Sequence, residues 1–547
     1  MTSVERGFLQ GSVGHRVHQR PCARSDRITV LCAPGVVKIT GVALLMLIAA
    51  AGLVAVARQA RPVSSVSDTA VIESYTLYAS RAQLLVGPYS RYGWHHPGPL
   101  YFYLLAPFYR LSGKLSAGLN AGALAINFMS VIVIALVVWR VARGGLAVAI
   151  VAMLVVYSWR VAPLLASPWN PHVIVFPFMA LIVVAAAIAS GWIELLPLAM
   201  LMGAIAVQTH LGVLPGAVAV SAIVLGSALF FAGSGVPIGR TVGILSVTLC
   251  LVVVLWAVPV WEEMTRAPGN LTKLWRFFFT GPRGAQPFRS AYVAWTDMLA
   301  GIVRPDLRLA DGSPFRRSHV RWSEGWAAAE VVLLAITATL AARAGRRFQA
   351  ALSGLLVLGA MVALWSATRI EDAIVDHEVF WISGLGVLAA ASLLDAGISA
   401  TWRGRIPPRL ACAACAAGVC VIAALGVHQL LLVTNRTSAP SPQQVAVATL
   451  GDALTRRVRS NNARPFMKID QDTWPIAAGV LVTLQKSGLP FAVDADWLPM
   501  FTERAAATGR ETEMVTIVGP ERHLLLTAKD RASTIADADP YFLVTLK

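Results

Sequence analysis

The chain is 547 residues long, 56% hydrophobic and only 14% charged, with a mean hydropathy of +0.64. That composition excludes an ordinary soluble protein, because apolar runs of about 18 residues or more recur and each is long enough to cross a hydrocarbon core. The formal net charge of +17 does not point to nucleic acid: the basic residues sit in short turns between apolar runs, a topology signal and not a polyanion groove.

Residues 1–36 read as a basic cytoplasmic head, with Arg6, Arg16, Arg20, Arg24 and Arg27. The apolar run Ile39–Ala57 follows and is expected to be an uncleaved anchor. Further spans are predicted at Leu119–Trp139, Leu146–Trp159, Val173–Ala189, Leu195–Val207, Leu211–Phe231 and Val242–Val260. Four more are predicted at Trp326–Ala342, Phe348–Trp365, Val379–Ile398 and Leu410–Val433, which makes roughly eleven in all. With the head inside, Arg140, Arg143, Arg240, Arg343, Arg346, Arg347, Arg403, Arg405 and Arg409 all fall on the cytoplasmic side. The expected architecture is a polytopic α-helical membrane protein. Its module 37–433 exports loops 58–118 and 261–325, and residues 434–547 form an extracytoplasmic α/β domain. The expected location is the plasma (inner) membrane, with the active site on the outer face.

Within the first exported loop, Val71, Tyr75, Tyr78, Ala82 and Leu85 recur at helical spacing opposite Glu73, Thr76, Ser80 and Gln83. This predicts an amphipathic helix on the membrane surface, capped by Ser67 or Asp68. The patch Pro99–Leu111 is too short to span and is expected to be re-entrant or interfacial. The second loop, opened by Glu262 and Glu263, is long enough to act as a lid or acceptor platform. Cys412 and Cys415 form a C-x-x-C inside an apolar helix, where small packing residues are the expected role. In the C-terminal stretch, helices are predicted at Gln443–Arg459 and Thr473–Gln485. Strands are predicted at Pro465–Ile469, Pro490–Val493 and Met514–Val518, a strand–helix–strand pattern suited to parallel pairing.

The segment most informative for chemistry runs Ser67-Asp68-Thr69-Ala70-Val71-Ile72-Glu73, followed by Gly87-Pro88-Tyr89-Ser90-Arg91-Tyr92-Gly93-Trp94-His95-His96-Pro97-Gly98-Pro99-Leu100. An acid just after the first span, then an aromatic His-Pro segment entering an apolar helix, resembles the GT-C superfamily. Its members are polytopic glycosyltransferases that use lipid-phosphate-linked sugars, such as the protein mannosyltransferases and the aminoarabinose transferases of lipid A. The resemblance implies a catalytic acid in the first exported loop, here Asp68, and a polyprenyl-phosphate sugar as donor. The chain departs from the pattern where Thr69 replaces a second adjacent acid and where Gly98 interrupts a double proline.

Elementary chemistry runs alongside. Moving a sugar from polyprenyl phosphate with inversion needs a base for the acceptor hydroxyl and cations for the departing phosphate, so one carboxylate suffices. Asp68 is the candidate base, with helix capping as its alternative. Glu73 is a second candidate, but five residues on it lies about 140° around a helix from Asp68. Arg91, Arg160, His95 and His96 are candidates for the donor phosphate. Arg160 stands out as a cation at the outer end of a span. Tyr89, Trp94, Trp169, Asn170, His172, Gln208 and His210 are candidates for the sugar or acceptor, with turn rigidity and helix–helix hydrogen bonding as alternatives. Asp470, Asp472, Trp474, Asp494 and Trp497 follow two predicted strands and suit glycan binding, or else helix capping and core packing. No cofactor is implied, and a divalent metal is left open. The expected partners are a polyprenyl-phosphate sugar, an extracytoplasmic glycan, lipid or protein acceptor, and the bilayer, with no nucleic acid. A glycolipid flippase and a non-catalytic scaffold with a glycan-binding outer domain are the competing classes.

Overall fold

The computed structural model describes residues 63–142, 144–232, 237–280, 286–304, 321–402, 440–523 and 533–546, together with positions 50, 52, 53, 56, 424 and 428. Apart from those isolated positions, the predicted spans Ile39–Ala57 and Leu410–Val433 lie outside the described residues. So do the basic head, Arg143, Arg403, Arg405, Arg409 and the Cys412/Cys415 pair.

Every span predicted within the described residues is helical. The helices are α1 (Ser67–Ser80), α2 (Leu100–Leu111), α3 (Ser116–Val141), α4 (Gly144–Arg160), α5 (Val175–Ala189), α6 (Leu196–Thr209), α7 (Leu214–Ala232), α8 (Ile238–Thr265), α9 (Asn270–Phe279), α10 (Phe288–Leu299), α11 (Arg321–Arg343), α12 (Arg347–Ala367) and α13 (Ile382–Trp402). Among the described residues, seven helical stretches are long and apolar enough to cross a membrane, while α4 and α6 are shorter. The chain is therefore a polytopic helical membrane protein. These helices show little amphipathic contrast because lipid and bundle interior are both apolar. Helix α5 is the central post, buried along its length and surrounded by α3, α6, α7, α12 and α13. Helix α8 lies at the periphery against α6, with Val247, Leu249, Val253 and Val254 exposed. Small residues allow close approach: a Cβ at Gly122 of α3 would press on Leu105 of α2.

The first loop corrects one expectation. Helix α1 is not a surface helix: every residue from Ala70 to Ser80 is buried, including Glu73 and Thr76 of the supposed polar stripe. It is covered on one side by α2 and on another by the C-terminal layer. Its N-cap is Val66, which makes no side-chain cap, so neither Ser67 nor Asp68 serves as the cap. Helix α2 has 12 residues, about 18 Å, and does not span. Leu111 at its end is 87% exposed.

The C-terminal residues build a mixed sheet flanked by α14 (Pro442–Asn461) and α15 (Trp474–Lys486). Helix α14 starts on a capping box formed by Ser441 and Gln444 and stops at Asn462, which takes the left-handed conformation at φ 48°. The strands are β1 (Pro465–Lys468), β2 (Ala492–Val493), β3 (Glu513–Val518), β4 (Thr534–Ala538) and β5 (Tyr541–Leu546), in the order β2-β1-β3-β5-β4. The β1–α15–β2 unit is parallel, and β1 also pairs in parallel with β3, Met467 opposite Val515. The antiparallel hairpin β4–β5 was not foreseen from the sequence; it extends the sheet beyond β3. This layer has no separate core. Val447, Leu450, Met467, Leu481 and Val515 pack in one cluster with Val71, Tyr75, Leu77 and Phe102 of the first loop.

Candidate active site

A cavity of about 1180 Å³ opens where the first loop, the connector 167–172, the turn 209–214, helix α9 and the connector 368–379 converge. These are the segments expected to share one side of the membrane. Polar side chains in its lining are Asp68, Tyr89, Arg91, His96, Asn170, His210, Arg369, Glu371, His377 and Glu378. The remainder is apolar and aromatic, built from Leu214, Val218 and Trp256 of the bundle, Leu274 and Phe277 to Phe279 of α9, and Val362 and Trp365 of α12.

Residues 88–96 fold back as a tight hairpin. Ser90 N–H donates to Trp94 O at 2.9 Å and His96 N–H to Pro88 O at 2.8 Å, and Gly93 turns the corner at φ 81°. Strand-like alternation then sends Trp94 and His96 into the cavity and His95 the other way. Gly98, where a double proline was expected, is explained by space: a Cβ there would collide with Gln208 and Pro259.

Asp68 lies in the first turn of α1 and faces the cavity. Its carboxylate accepts from the Tyr89 hydroxyl and the Trp169 indole N–H. Burial nonetheless holds it above the ordinary aspartate range, outweighing both donors. A carboxylate raised this way is a better proton acceptor than a solvated one.

Backbone donors fix the histidine tautomers. Leu211 N–H donates to His96 Nδ1 at 2.8 Å and Gly212 N–H to His210 Nδ1 at 3.1 Å. In their neutral forms both rings therefore carry the proton on Nε2. The two rings stack at 5.2 Å, and burial holds both well below the usual imidazole range, His210 at about 3. They are uncharged donors at neutral pH. Asn170 Nδ2 donates to Thr209 O at 3.1 Å; its 3.4 Å approach to His96 Nε2, itself a donor in this tautomer, is a contact and not a hydrogen bond.

Several predicted residues prove to be struts. His95 does not line the cavity; its backbone N–H donates to Asn270 Oδ1 at 2.8 Å, and Asn270 Nδ2 donates back to His95 O at 2.9 Å. Glu73 is wholly buried outside the cavity, accepting from Ser65 Oγ at 2.5 Å and Tyr109 Oη at 2.9 Å and pairing with Lys486. Gln208 uses both ends, accepting from Leu100 N–H at 3.3 Å and donating to Leu255 O at 2.9 Å. His172 is held by Ser167 Oγ at 2.8 Å and packs edge-on against Trp169. Arg160, expected at the phosphate, instead donates to Gly301 O at 3.2 Å and Ile302 O at 2.7 Å, pinning α4 to the turn after α10. A span-end guanidinium finds exposed carbonyls as readily as a ligand. Asn270-Leu271-Thr272 matches a glycosylation sequon by spacing, but Asn270 is 3% exposed, which leaves no room for a glycan.

The predicted cation that does reach the cavity is Arg91, which faces Glu378 at 3.6 Å and Asp372 at 3.9 Å. Arg369 joins it from the connector 368–379, its guanidinium 5.4 Å over Trp365. Arg369 sits in a short connector that also carries Glu371, Asp372, Asp376 and His377, where sequence alone does not separate a charge that lines a site from a solvated one. Glu378, also at the cavity, is raised by burial. Tyr92 and Trp94 stack at 6.2 Å along the wall. In the C-terminal layer Asp470, Asp472 and Trp474 follow β1, and Asp494 and Trp497 follow β2, its parallel neighbour, so the two groups share one sheet edge. Trp497 is tied down through its indole N–H to Ile469 O at 3.1 Å. None of the five lines the cavity. Among the described residues, no three His, Cys, Asp or Glu side chains gather as a metal site.

No family model matches the chain, and no curated protein matches it by sequence. Similarity appears at the level of fold. The chain superposes on ArnT from Cupriavidus metallidurans bound to undecaprenyl phosphate with a TM-score of 0.54 at 13% identity, covering 91% of this chain and 97% of that one. The apo form of the same protein gives a TM-score of 0.52 at 12% identity over the same shares. A more distant likeness, TM-score 0.45 at 10% identity, is to the Archaeoglobus fulgidus oligosaccharyltransferase, over 88% of this chain and 70% of that one. The layout expected from the first loop is thus accompanied by a fold shared with ArnT along most of the chain.

Proposed function

We propose that this GT-C-fold chain is an inverting glycosyltransferase that moves a sugar from a polyprenyl-phosphate donor to an extracytoplasmic acceptor. The observation that carries the reading is Asp68, a carboxylate raised by burial, held by Tyr89 and Trp169 and facing a cavity whose lining is mainly apolar. A polyprenyl chain matches the apolar trough between α7, α8, α9 and α12 in chemistry. ArnT, which shares this fold, binds undecaprenyl phosphate, and that supports a polyprenyl-phosphate donor here.

In this reading Asp68 accepts the proton of the acceptor hydroxyl as its oxygen attacks the anomeric carbon and the glycosidic bond to phosphate breaks. Tyr89 and Trp169 orient the carboxylate. The leaving phosphate needs no proton; it needs positive charge and donors. Arg91 and Arg369 supply the charge, and the Nε2–H groups of His96 and His210 supply neutral donors. Arg91 exchanges its carboxylate neighbours for phosphate oxygens, which it can grip in a bidentate manner. Trp94, Tyr92 and Trp169 offer ring faces for the sugar, and Asn170 an amide for its hydroxyls. The active site then lies on the outer face of the plasma membrane. Asp470, Asp472, Trp474, Asp494 and Trp497, on a separate edge, remain candidates for holding a glycan acceptor away from the reacting centre.

Proteoliposomes loaded with a radiolabelled polyprenyl-phosphate sugar test the reading. Loss of label from lipid phosphate to acceptor should require Asp68. Label that crosses the membrane still attached to its lipid, with no transfer, would assign the chain to translocation instead.

A further inference from the structure

The C-terminal layer touches the acid-bearing helix α1 at four points. Lys486 Nζ pairs with the Glu73 carboxylate, and Gln485 Nε2 donates to Ser74 O at 3.4 Å. The Tyr75 hydroxyl donates to Pro499 O at 3.2 Å, and Arg504 lies 5.5 Å over the Tyr78 ring. Helix α1 is thereby gripped on more than one face: Glu73 sits about 140° around the helix from Asp68, whereas Tyr75, seven residues on, lies within about 20° of it and also lines the cavity.

Hydrogen-bond logic gives one tether a direction. Pro499 O can only accept, so the single Tyr75 hydroxyl proton goes to it. The contact between Tyr75 Oη and His95 Nε2, 3.2 Å, must then be donated by the imidazole. His95 in turn is locked to Asn270 of α9. One line of bonds joins the C-terminal layer, α1, the His-Pro hairpin and the cavity wall.

We infer that Lys486 is a positioning residue for sugar transfer: its ion pair with Glu73 fixes α1 in rotation and register, and with α1 the place of the Asp68 carboxylate in the cavity. Glu73 is wholly buried and Lys486, 30% exposed, is the cation that reaches it from the layer, so screening by water is weak at the carboxylate end of the pair. The inference rests on Asp68 being the base, and it assigns the C-terminal layer a part in catalysis beyond any glycan binding at its far edge.

The test uses the full chain in proteoliposomes, with polyprenyl-phosphate binding, kcat and KM measured for each variant. Lys486→Met should lower kcat about tenfold with lipid-phosphate affinity and KM within threefold of the parent, and Lys486→Arg should recover most of the rate. Unchanged turnover in Lys486→Met, alongside a dead Asp68→Asn, overturns the inference and leaves the proposed function standing. Normal turnover in Asp68→Asn overturns the reading beneath both. Removing Lys486 alone strands a buried carboxylate and can unfold the chain, whereas Glu73→Gln with Lys486→Met removes both charges. That double variant should fold yet stay slow; full recovery of rate with recovery of folding means that the pair acts through stability only, against the inference. Should neither fold, Tyr75→Phe decides: a severalfold lower kcat at unchanged lipid-phosphate affinity supports the clamp, and parental kcat refutes it.

Discussion

Asp68 accepts from Tyr89 and Trp169 and is still held above the ordinary carboxylate range, because burial outweighs both donors. Two outcomes follow for a base in that state. The acid limb of the transfer rate should lie above the 3.8 of an ordinary aspartate, since activity requires the ionised form. A pH–rate profile in proteoliposomes measures it. Asp68→Asn should cut turnover on the order of a hundredfold or more, the usual contribution of a base. Its thermal midpoint at neutral pH should not fall. The sign follows from linkage: a raised acid pKa means that the folded state disfavours the charge, so stability from this group is lost as pH rises through the folded pKa. Removing the charge removes that cost. A melting curve well below the parent's would mean that Asp68 serves the fold instead. The arginines divide in the same manner. Arg91→Ala and Arg369→Ala should each weaken polyprenyl-phosphate binding about tenfold, or about 1.4 kcal/mol. Arg160→Ala should lower thermal stability and leave affinity in the surviving fold near normal, because its guanidinium is spent on Gly301 and Ile302.

Among the elements, α9 illustrates how a loop becomes a wall. Its start is latched by Asn270, whose side chain both accepts from and donates to the backbone of His95, while its own N–H donates to Glu262 Oε2 at 2.8 Å. The helix then lays Leu274, Phe277 and Phe278 along the cavity. Asn270→Ala leaves the buried His95 peptide groups unpaired and should cost about 1–3 kcal/mol per group. Denaturant titration reads that loss, and earlier proteolytic cleavage within α9 should accompany it. Asn270→Asp keeps the acceptor for His95 N–H but loses the donor to His95 O, so it should fall between parent and Ala. Equal stability for all three chains would mean that α9 is held by its apolar face alone. Helix α1 teaches the complementary lesson. Its sequence alternates apolar and polar faces, yet the polar face is buried because Glu73, Thr76 and Ser80 each find a partner inside the protein.

At the scale of the whole molecule, cations and site occupy opposite helix ends. Arg140, Arg343 and Arg346 lie at the ends of α3, α11 and α12 away from the cavity, and the connectors lining the cavity lie at the other ends. Under the proposed orientation, which follows positive-inside bias, the cavity and the C-terminal layer face outside. An impermeant thiol reagent applied to intact cells should label Ser441→Cys and spare Arg346→Cys. Labelling of both alike would reverse the orientation and the proposed side of transfer. What the sequence alone determined is whatever depends on runs and spacing. The apolar lengths located the membrane-length helices between Ser116 and Trp402, though not α9 and α10 of the second loop, and the β1–α15–β2 alternation located its parallel pairing. The acid and the His-Pro segment marked the loop that reaches the cavity. Which polar groups face that cavity depended on tertiary packing. His95 and His96 are neighbours in sequence, but hairpin alternation sends one to Asn270 and the other to the site. Arg160 and Arg369 are both cations at span ends, separated only by what each can reach. Glu73 looked like a second acid until Lys486, more than 400 residues along the chain, supplied its partner. Spacing records local periodicity; a buried charge is assigned by contacts between distant segments, and those exist only once the chain has folded.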